Sequence, residues 1–346
     1  MRNDRIAAIA RLQDGLVTRA QALCAGVTPA ALRHALRPGG PWQRVSPGLY
    51  VTFTGPLGRI HRLRAAVLHA GEGSMITGSA ACEMAGLLYL PASDGVVHVL
   101  VDMARQPAST DHVQVCRTSR LPTPVRWLDE QAVGDPGAVP PWWEEADVLA
   151  PTARPGEIPM APVARAVLDT VRLSLSPTAR DRGIRERLLR NTRALMCEAV
   201  QRRRCSVEDI VRELNAAPRA GTSLARQAVD DIAQGCRSAP ECELRDVVRS
   251  SRTLPEPRWN RPLPGYGEVW PDACWKEARM VCEVDGKAWH GFGDAPEKTE
   301  ERRAIYAQLG WIVVPVSPMR LRRDPAAVRR QLEAAYRAGL ARRGAI

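Results

Sequence analysis

Residues 271–286 read PDACWKEARMVCEVDG, the end of one β-like segment, PLPGYGEVWPDACW (262–275), and the whole of a second, ARMVCEVDG (278–286), separated by the charged Lys276-Glu277. A hairpin folded there sets Asp272 opposite Glu283, with Cβ atoms roughly 5 Å apart. Strand alternation then puts Glu283 and Asp285 on one face. The preceding stretch, SAPECELRDVVRSS (238–251), reads as a helix with Leu244, Val247 and Val248 facing inward. Glu241 lies three residues before Leu244 and shares that face. Carboxylates gathered this way repel and raise one another's pKa, which a hard divalent cation with oxygen ligands relieves. Mg²⁺ is the expected ion, with Mn²⁺ as a substitute, and Asp272, Glu283 and Asp285 are the expected ligands.

The residues after the hairpin suit the same site. Gly286 permits a sharp exit from the strand, and His290 beyond it is a candidate general acid or base. PEKTEERRAIYAQLG (296–310) predicts a helix carrying tandem Arg302-Arg303, able to face phosphate. WIVVPVS (311–317) predicts a buried strand of parallel type, and Asp324-Pro325 opens an arginine-rich last helix. The readable core order is α-β-β-α-β.

At the other end, residues 1–55 predict a compact helical unit closed by a hairpin. One helix ends near Asp14-Gly15, a second is capped by Thr18 and stops at Gly26, and a third begins at Thr28-Pro29. WQRVSPGLYV then predicts two strands around Ser46-Pro47-Gly48. Residues 1–54 hold seven arginines against two aspartates. Arg33 and Arg37, one turn apart on the third helix with His34 beside them, are candidate groove contacts together with Arg19 and Arg44.

Residues 56–235 are less informative. VVHVLVD and HVQVCRT predict strands, and the Pro- and Trp-rich stretch from Leu121 to Pro162 predicts loop. Helices are expected in APVARAVLDTVR, RALMCEAVQRRR and SVEDIVRELN, the last capped by Ser206. Gly221–Gly235 reads as a lead into the last domain. His98 and His112 fall in strand-like runs and are expected to be structural.

Composition narrows the partners. The formal net charge is +11 and the pI about 9.6, which favours an anionic partner, nucleic acid first. The basic residues are almost all arginine; the three lysines are Lys276, Lys287 and Lys298, all in the last domain. The nine cysteines lack any CxxC spacing, which argues against a zinc ribbon and for reduced thiols. Without an apolar run near ~20 residues or a signal-like start, no membrane span and a cytoplasmic location are expected.

The N-terminal stretches DGLVTRAQALCAGVTPAALRHALR and WQRVSPGLYV resemble the winged-helix domain of AbiEi-type (type IV) antitoxins, and the middle region resembles theirs in element order. The C-terminal hundred residues, through SAPECELR, WPDACW, EVDGKAWH and ERRAIYAQLGW, resemble the PD-(D/E)xK nuclease superfamily. They are similar in particular to the actinobacterial domains related to very-short-patch repair endonucleases. The resemblance implies an α+β multidomain chain. A winged helix-turn-helix (1–55) and a mixed α/β middle region (56–235) would precede a restriction-endonuclease-like domain (236–346). It maps the first acid onto Glu241, with Glu243 as a competing register, the central aspartate onto Asp272 and the next acid onto Glu283. Asp285 stands where the best-known pattern has lysine; Lys287 is a candidate replacement and His290 matches a downstream histidine.

Together these readings predict a DNA endonuclease placed on duplex DNA by its N-terminal domain, with a homodimer as one arrangement. The rival is a non-enzymatic, antitoxin-like repressor with a degenerate nuclease domain and a cognate toxin partner. An operator-binding repressor footprints a palindrome without metal, whereas a nuclease nicks or linearises plasmid only with Mg²⁺ or Mn²⁺.

Overall fold

The computed structural model describes every residue except Met1, Ser93, Glu268 and the ranges 129–156, 176–180, 285–294 and 345–346. The chain is mixed α/β and divides into two compact units, Met1–Ser174 and Leu175–Ile346.

The first unit begins with α1 (Arg2–Leu12), β1 (Leu16–Thr18), α2 (Arg19–Cys24), α3 (Pro29–Ala35), β2 (Gln43–Ser46) and β3 (Leu49–Val51). Local chemistry sets these boundaries. Asp14 and Gly15 both take left-handed backbone, φ 53° and 81°, and stop α1. Thr18 and Gln21 form a reciprocal capping box at α2, and the Thr28 hydroxyl accepts from the Ala31 N–H at α3, with Pro29 at the first helical position. Gly48, φ 77°, turns β2 into β3, and the three strands form an antiparallel sheet in the order β1-β3-β2. One expectation fails here: α3 ends at Ala35, so Arg37 lies beyond the helix, its guanidinium folded against the His34 ring.

The unit continues with α4 (Arg59–Ala70), β4 (Met75–Thr77), α5 (Gly78–Met84), β5 (Val97–Asp102), β6 (Val113–Thr118), β7 (Val125–Leu128), β8 (Glu157–Met160) and α6 (Val163–Leu173). The five strands pair in the order β6-β5-β4-β8-β7. The stretch 121–162, expected as loop, therefore supplies two paired strands at its ends. The segment 1–55 packs directly onto α4. Leu16, Leu49 and Val51 share a core with Ala65 and Leu68 of α4, and buried Arg64 donates to Asp14 at 2.7 Å. That shared apolar surface holds the segment 1–55 to α4.

The second unit contains α7 (Arg182–Gln201), α8 (Val207–Ala216), α9 (Ser223–Ala233), α10 (Ala239–Arg249), β9 (Arg258–Trp259), β10 (Ala273–Trp275), β11 (Met280–Val284), α11 (Ala295–Gln308), β12 (Ile312–Val316), α12 (Pro318–Arg323) and α13 (Pro325–Gly344). The segment read as a lead, 221–235, is helix α9. It joins α7 and α10 through a buried ion network in which Asp231 binds Arg193 and Arg245 at 2.6 and 2.7 Å. This network ties α7, α9 and α10 together within the second unit.

The sheet runs β12-β11-β10-β9, with β11 and β12 parallel and the other pairs antiparallel. Its parallel strand matches the expectation for 311–317. α11 lays Tyr306 and Ile305, and the turn after it Leu309, onto the cluster that holds Val281, Cys274 and Val313. Burial of a large apolar side chain of this kind contributes about 1.5–3 kcal/mol, which holds α11 against the face carrying Val281. No helix among the described residues is long and apolar enough to cross a membrane.

Candidate carboxylate site

The register of the hairpin decides the site. Ala273 pairs with Cys282, Cys274 with Val281 and Trp275 with Met280, so the next pair outward is Asp272 with Glu283. The turn occupies Lys276–Arg279, slightly wider than the Lys276-Glu277 expected. The Asp272 carboxylate accepts from the Val284 N–H at 2.7 Å, which bends the aspartate back onto the end of β11.

Alternation sends Glu283 to the same face as Val281, under α11. There the Tyr306 hydroxyl donates to Glu283 Oε1 at 2.6 Å, and Arg302 Nη2 lies 3.3 Å from Oε2. Arg302 and Tyr306 are four residues apart, so one helical face delivers both. Glu283 is 3% exposed and Arg302 39% side-chain exposed, a buried acid with a cation at the surface above it. Burial, the larger cause, and the proximity of Glu283 push the Tyr306 phenol upward.

Glu241 enters from α10. Ser238-Ala-Pro-Glu241 forms a capping pattern: the Glu241 carboxylate accepts from the Arg237 N–H at 2.7 Å and the Ser238 hydroxyl at 2.8 Å. Asn260 Nδ2 adds a third bond at 2.5 Å, and the Asn260 N–H donates to the Asp272 carbonyl at 3.1 Å. Asn260, held at φ 45°, thus ties the first acid to the backbone of the second. Glu243, the competing register, instead pairs with Arg190 and Arg322. Sequence reasoning missed Asn260 and Tyr306. It had a signal for Glu241's capping role, since S-x-x-E before an apolar run is a helix-start pattern.

Electrostatics bind the three acids into one group. Burial, followed by the Glu241 and Glu283 charges, raises the Asp272 carboxyl well above the usual carboxylate range, against the pull of the Val284 N–H and Arg302. Burial raises Glu241 as well. A folded-state pKa above the unfolded one means that the folded chain keeps a proton the unfolded chain has lost. Stability therefore falls as pH rises from the ordinary aspartate value toward the raised one, and the loss persists above it. Asp272→Asn removes that charge and still accepts from Val284. In metal-chelated buffer at pH 7.5 it should be more stable than wild type, with a higher denaturation midpoint. The gap should close below about pH 4. A lower denaturation midpoint for the variant at pH 7.5 would contradict the repulsion.

No family model matches this chain. It is 32% identical over 164 residues to two Mycobacterium tuberculosis proteins, uncharacterized protein MT2308 of strain CDC 1551 and uncharacterized protein Rv2248 of strain H37Rv. The match covers 44% of this chain and spans 59% of each relative's length. Among solved structures, the Rv2827c protein of the same organism aligns with a TM-score of 0.38 at 17% identity, over 74% of this chain and 83% of that one.

The remaining expected residues divide by position. Asp285, Lys287 and His290 lie outside the described residues, as does Trp289. No group of three or more His, Cys, Asp or Glu among the described residues is arranged to hold a metal ion. Asp272 and Glu283 offer hard oxygen donors, and their mutual repulsion suits a cation of that class. Trp275 is core, its indole N–H donating to the Pro255 carbonyl at 2.8 Å, whereas Trp270 is 40% exposed at the rim. The nine cysteines are free, with Cys116, Cys205 and Cys274 pushed up to about 11 by burial. In the first unit Arg19, Arg33, His34, Arg37 and Arg44 are all exposed, with Arg33 and His34 on α3 and Arg44 on β2.

Proposed function

We propose that this protein is a metal-dependent DNA endonuclease of PD-(D/E)xK type, positioned on duplex DNA by an N-terminal winged helix. The observation that carries the reading is Asp272 set beside buried Glu283 at the C-terminal end of β11, with Arg302 above them. An acid pair strained by its own charge and flanked by a surface cation is what phosphodiester hydrolysis requires. The basic balance of the chain and the resemblance of its four C-terminal motifs support the same conclusion.

Asp272 and Glu283 would hold Mg²⁺, or Mn²⁺ in its place, with Asp285 completing the set; the ion would supply phosphate polarisation and a more acidic water. The residues of the chain then have distinct tasks. Tyr306 fixes the Glu283 carboxylate, and Asn260 and Glu241 fix the backbone that carries Asp272. Arg302 neutralises the scissile phosphate, and His290 moves a proton, with Lys287 as the candidate amine. A homodimer would let two such sites cut both strands.

A second reading has its own support. Both Glu283 oxygens already meet protein donors, and Glu241 is engaged by three. A cluster satisfied this way suits a non-enzymatic repressor whose nuclease-like domain only binds, with a toxin as protein partner. Supercoiled plasmid separates the two. The nuclease converts it to nicked or linear forms with Mg²⁺ and leaves it intact in chelator; a repressor protects a palindrome and cuts nothing.

The N-terminal part of the proposal has a separate test. Arg33→Ala with Arg37→Ala should weaken duplex binding and flatten the dependence of log affinity on log salt, by a slope of roughly 0.9 for each phosphate no longer neutralised. Unchanged affinity and slope in the double variant would move the DNA-binding surface elsewhere.

A further inference from the structure

The turn of the same hairpin, at the end of the sheet away from Asp272 and Glu283, borders a cavity of about 270 Å³. Pro264, Tyr266, Lys276, Arg279, Leu309 and Trp311 line it. The lining combines two cations, two aromatic rings and two apolar side chains, and holds no carboxylate among the described residues. Tyr266 is 45% exposed, too open for a ring whose task is core packing. Lys276 and Arg279 are exposed at the rim.

The turn is rigid, which makes this a built site. The Arg279 carbonyl accepts from the Ile312 N–H at 2.8 Å, and the Arg279 N–H donates to the Lys276 carbonyl at 3.2 Å. Behind the turn, α13 approaches so closely that a Cβ on Gly339 would lie 2.1 Å from the Ala278 carbonyl oxygen. Arg279 itself sits at φ 45°, where glycine or asparagine fits without strain. A cation is kept at a position that disfavours it, beside one of only three lysines in the chain.

We propose that this cavity binds one nucleotide unit, its base against Tyr266 and Trp311 and its phosphate on Lys276 and Arg279. Aromatic faces accept any base by stacking, and paired cations suit a phosphate. The volume falls just below the ~300–1,000 Å³ of drug-sized sites and suits a base with its sugar. Four residues of extended chain separate Asp272 from Lys276, about 13 Å at ~3.3 Å each, or roughly four stacked nucleotides of one strand. The nucleotide could thus belong to a DNA strand crossing the sheet end or be free in solution. The assignment does not rest on the cleavage reading, because its residues lie apart from the acids.

The full-length chain, in chelator, is titrated calorimetrically with deoxyadenosine monophosphate, deoxyadenosine and inorganic phosphate. The nucleotide should bind more tightly than either half. Arg279→Gly and Lys276→Ala should each weaken it by ~10-fold or more, the scale of a lost charge-assisted hydrogen bond. Arg279→Gly also relieves the left-handed backbone, so its melting temperature should match or exceed wild type, and lost binding then reports lost recognition. Glu283→Gln should bind the nucleotide as wild type does. A single-stranded oligodeoxynucleotide gives the source. If it loses affinity in the same variants and the mononucleotide displaces it, the site belongs to a strand; if it is indifferent while mononucleotide binding is lost, the ligand is free nucleotide. Nucleotide binding no tighter than inorganic phosphate, or unchanged in Arg279→Gly, overturns the proposal.

Discussion

Glu283→Gln should cleave DNA at least ~10²-fold more slowly than wild type in Mg²⁺ while binding it as well or better. Glutamine keeps the shape of the side chain and can still accept from Tyr306, which donates at 2.6 Å, so the fold of β11 and α11 is preserved. What it loses is the charge that faces Arg302 at 3.3 Å and repels Asp272. Binding improves or holds because one negative charge has left a surface that meets phosphate. Asp272→Asn should lower cleavage by a similar factor, and the double variant should be little worse than either single one, because the two acids act as a unit. Electrophoretic mobility shifts and initial cleavage rates on the same duplex measure both halves. A Glu283→Gln protein that cuts at the wild-type rate would remove this acid from the chemistry.

The largest effect on stability should come from Asp231→Ala. Asp231 is fully buried and accepts from Arg193 Nε and Nη2, at 2.9 and 2.6 Å, and from Arg245 Nη1 at 2.7 Å. Arg193 and Arg245 are themselves 2% and 3% exposed. Removing their shared acid strands two cations in the interior, a defect that costs about 3–5 kcal/mol when one partner of a buried pair is deleted. Asp246 continues to meet Arg193, and Asp230 and Glu256 continue to meet Arg245, which holds the loss within that range. A drop of roughly 10 °C in the melting temperature of the second unit is expected. A change below about 1 kcal/mol would mean that the outer carboxylates alone satisfy both arginines. Since α10 carries Arg245 as well as Glu241, the same variant should also loosen the capping bonds beside Asp272.

The legible parts of the fold were those with local causes. Thr18, Thr28 and Ser206 each cap the helix their spacing announces. The charged turn and the alternation around it placed Asp272 opposite Glu283, and the strand register agrees. Long-range causes hid the rest. α9 carries Asp230-Asp231 in its last turn, where the macrodipole disfavours acids, and they stand there because arginines from α7 and α10 neutralise them. β9 has two residues, too few for any period, and exists because β10 pairs with it. β10 is confined to Ala273–Trp275, and upstream of it Leu263 and Tyr266 form an isolated bridge. Asn260 reaches Glu241 only through a left-handed backbone set by the fold around it. Tyr306 stands on a helix whose arginines drew the attention, and its hydroxyl acquires a partner only once α11 lies over Glu283.

The central claim, that Asp272 and Glu283 form a divalent-cation site, is tested most directly by Mn²⁺ binding without DNA. Electron paramagnetic resonance reports the free ion, whose signal falls when protein captures it. The wild-type chain should deplete the signal, Mg²⁺ in excess should restore it, and the Asp272→Asn, Glu283→Gln chain should leave it unchanged. Equal depletion by the wild-type and double-variant chains, with both folded, would contradict the account and place any bound metal away from the hairpin.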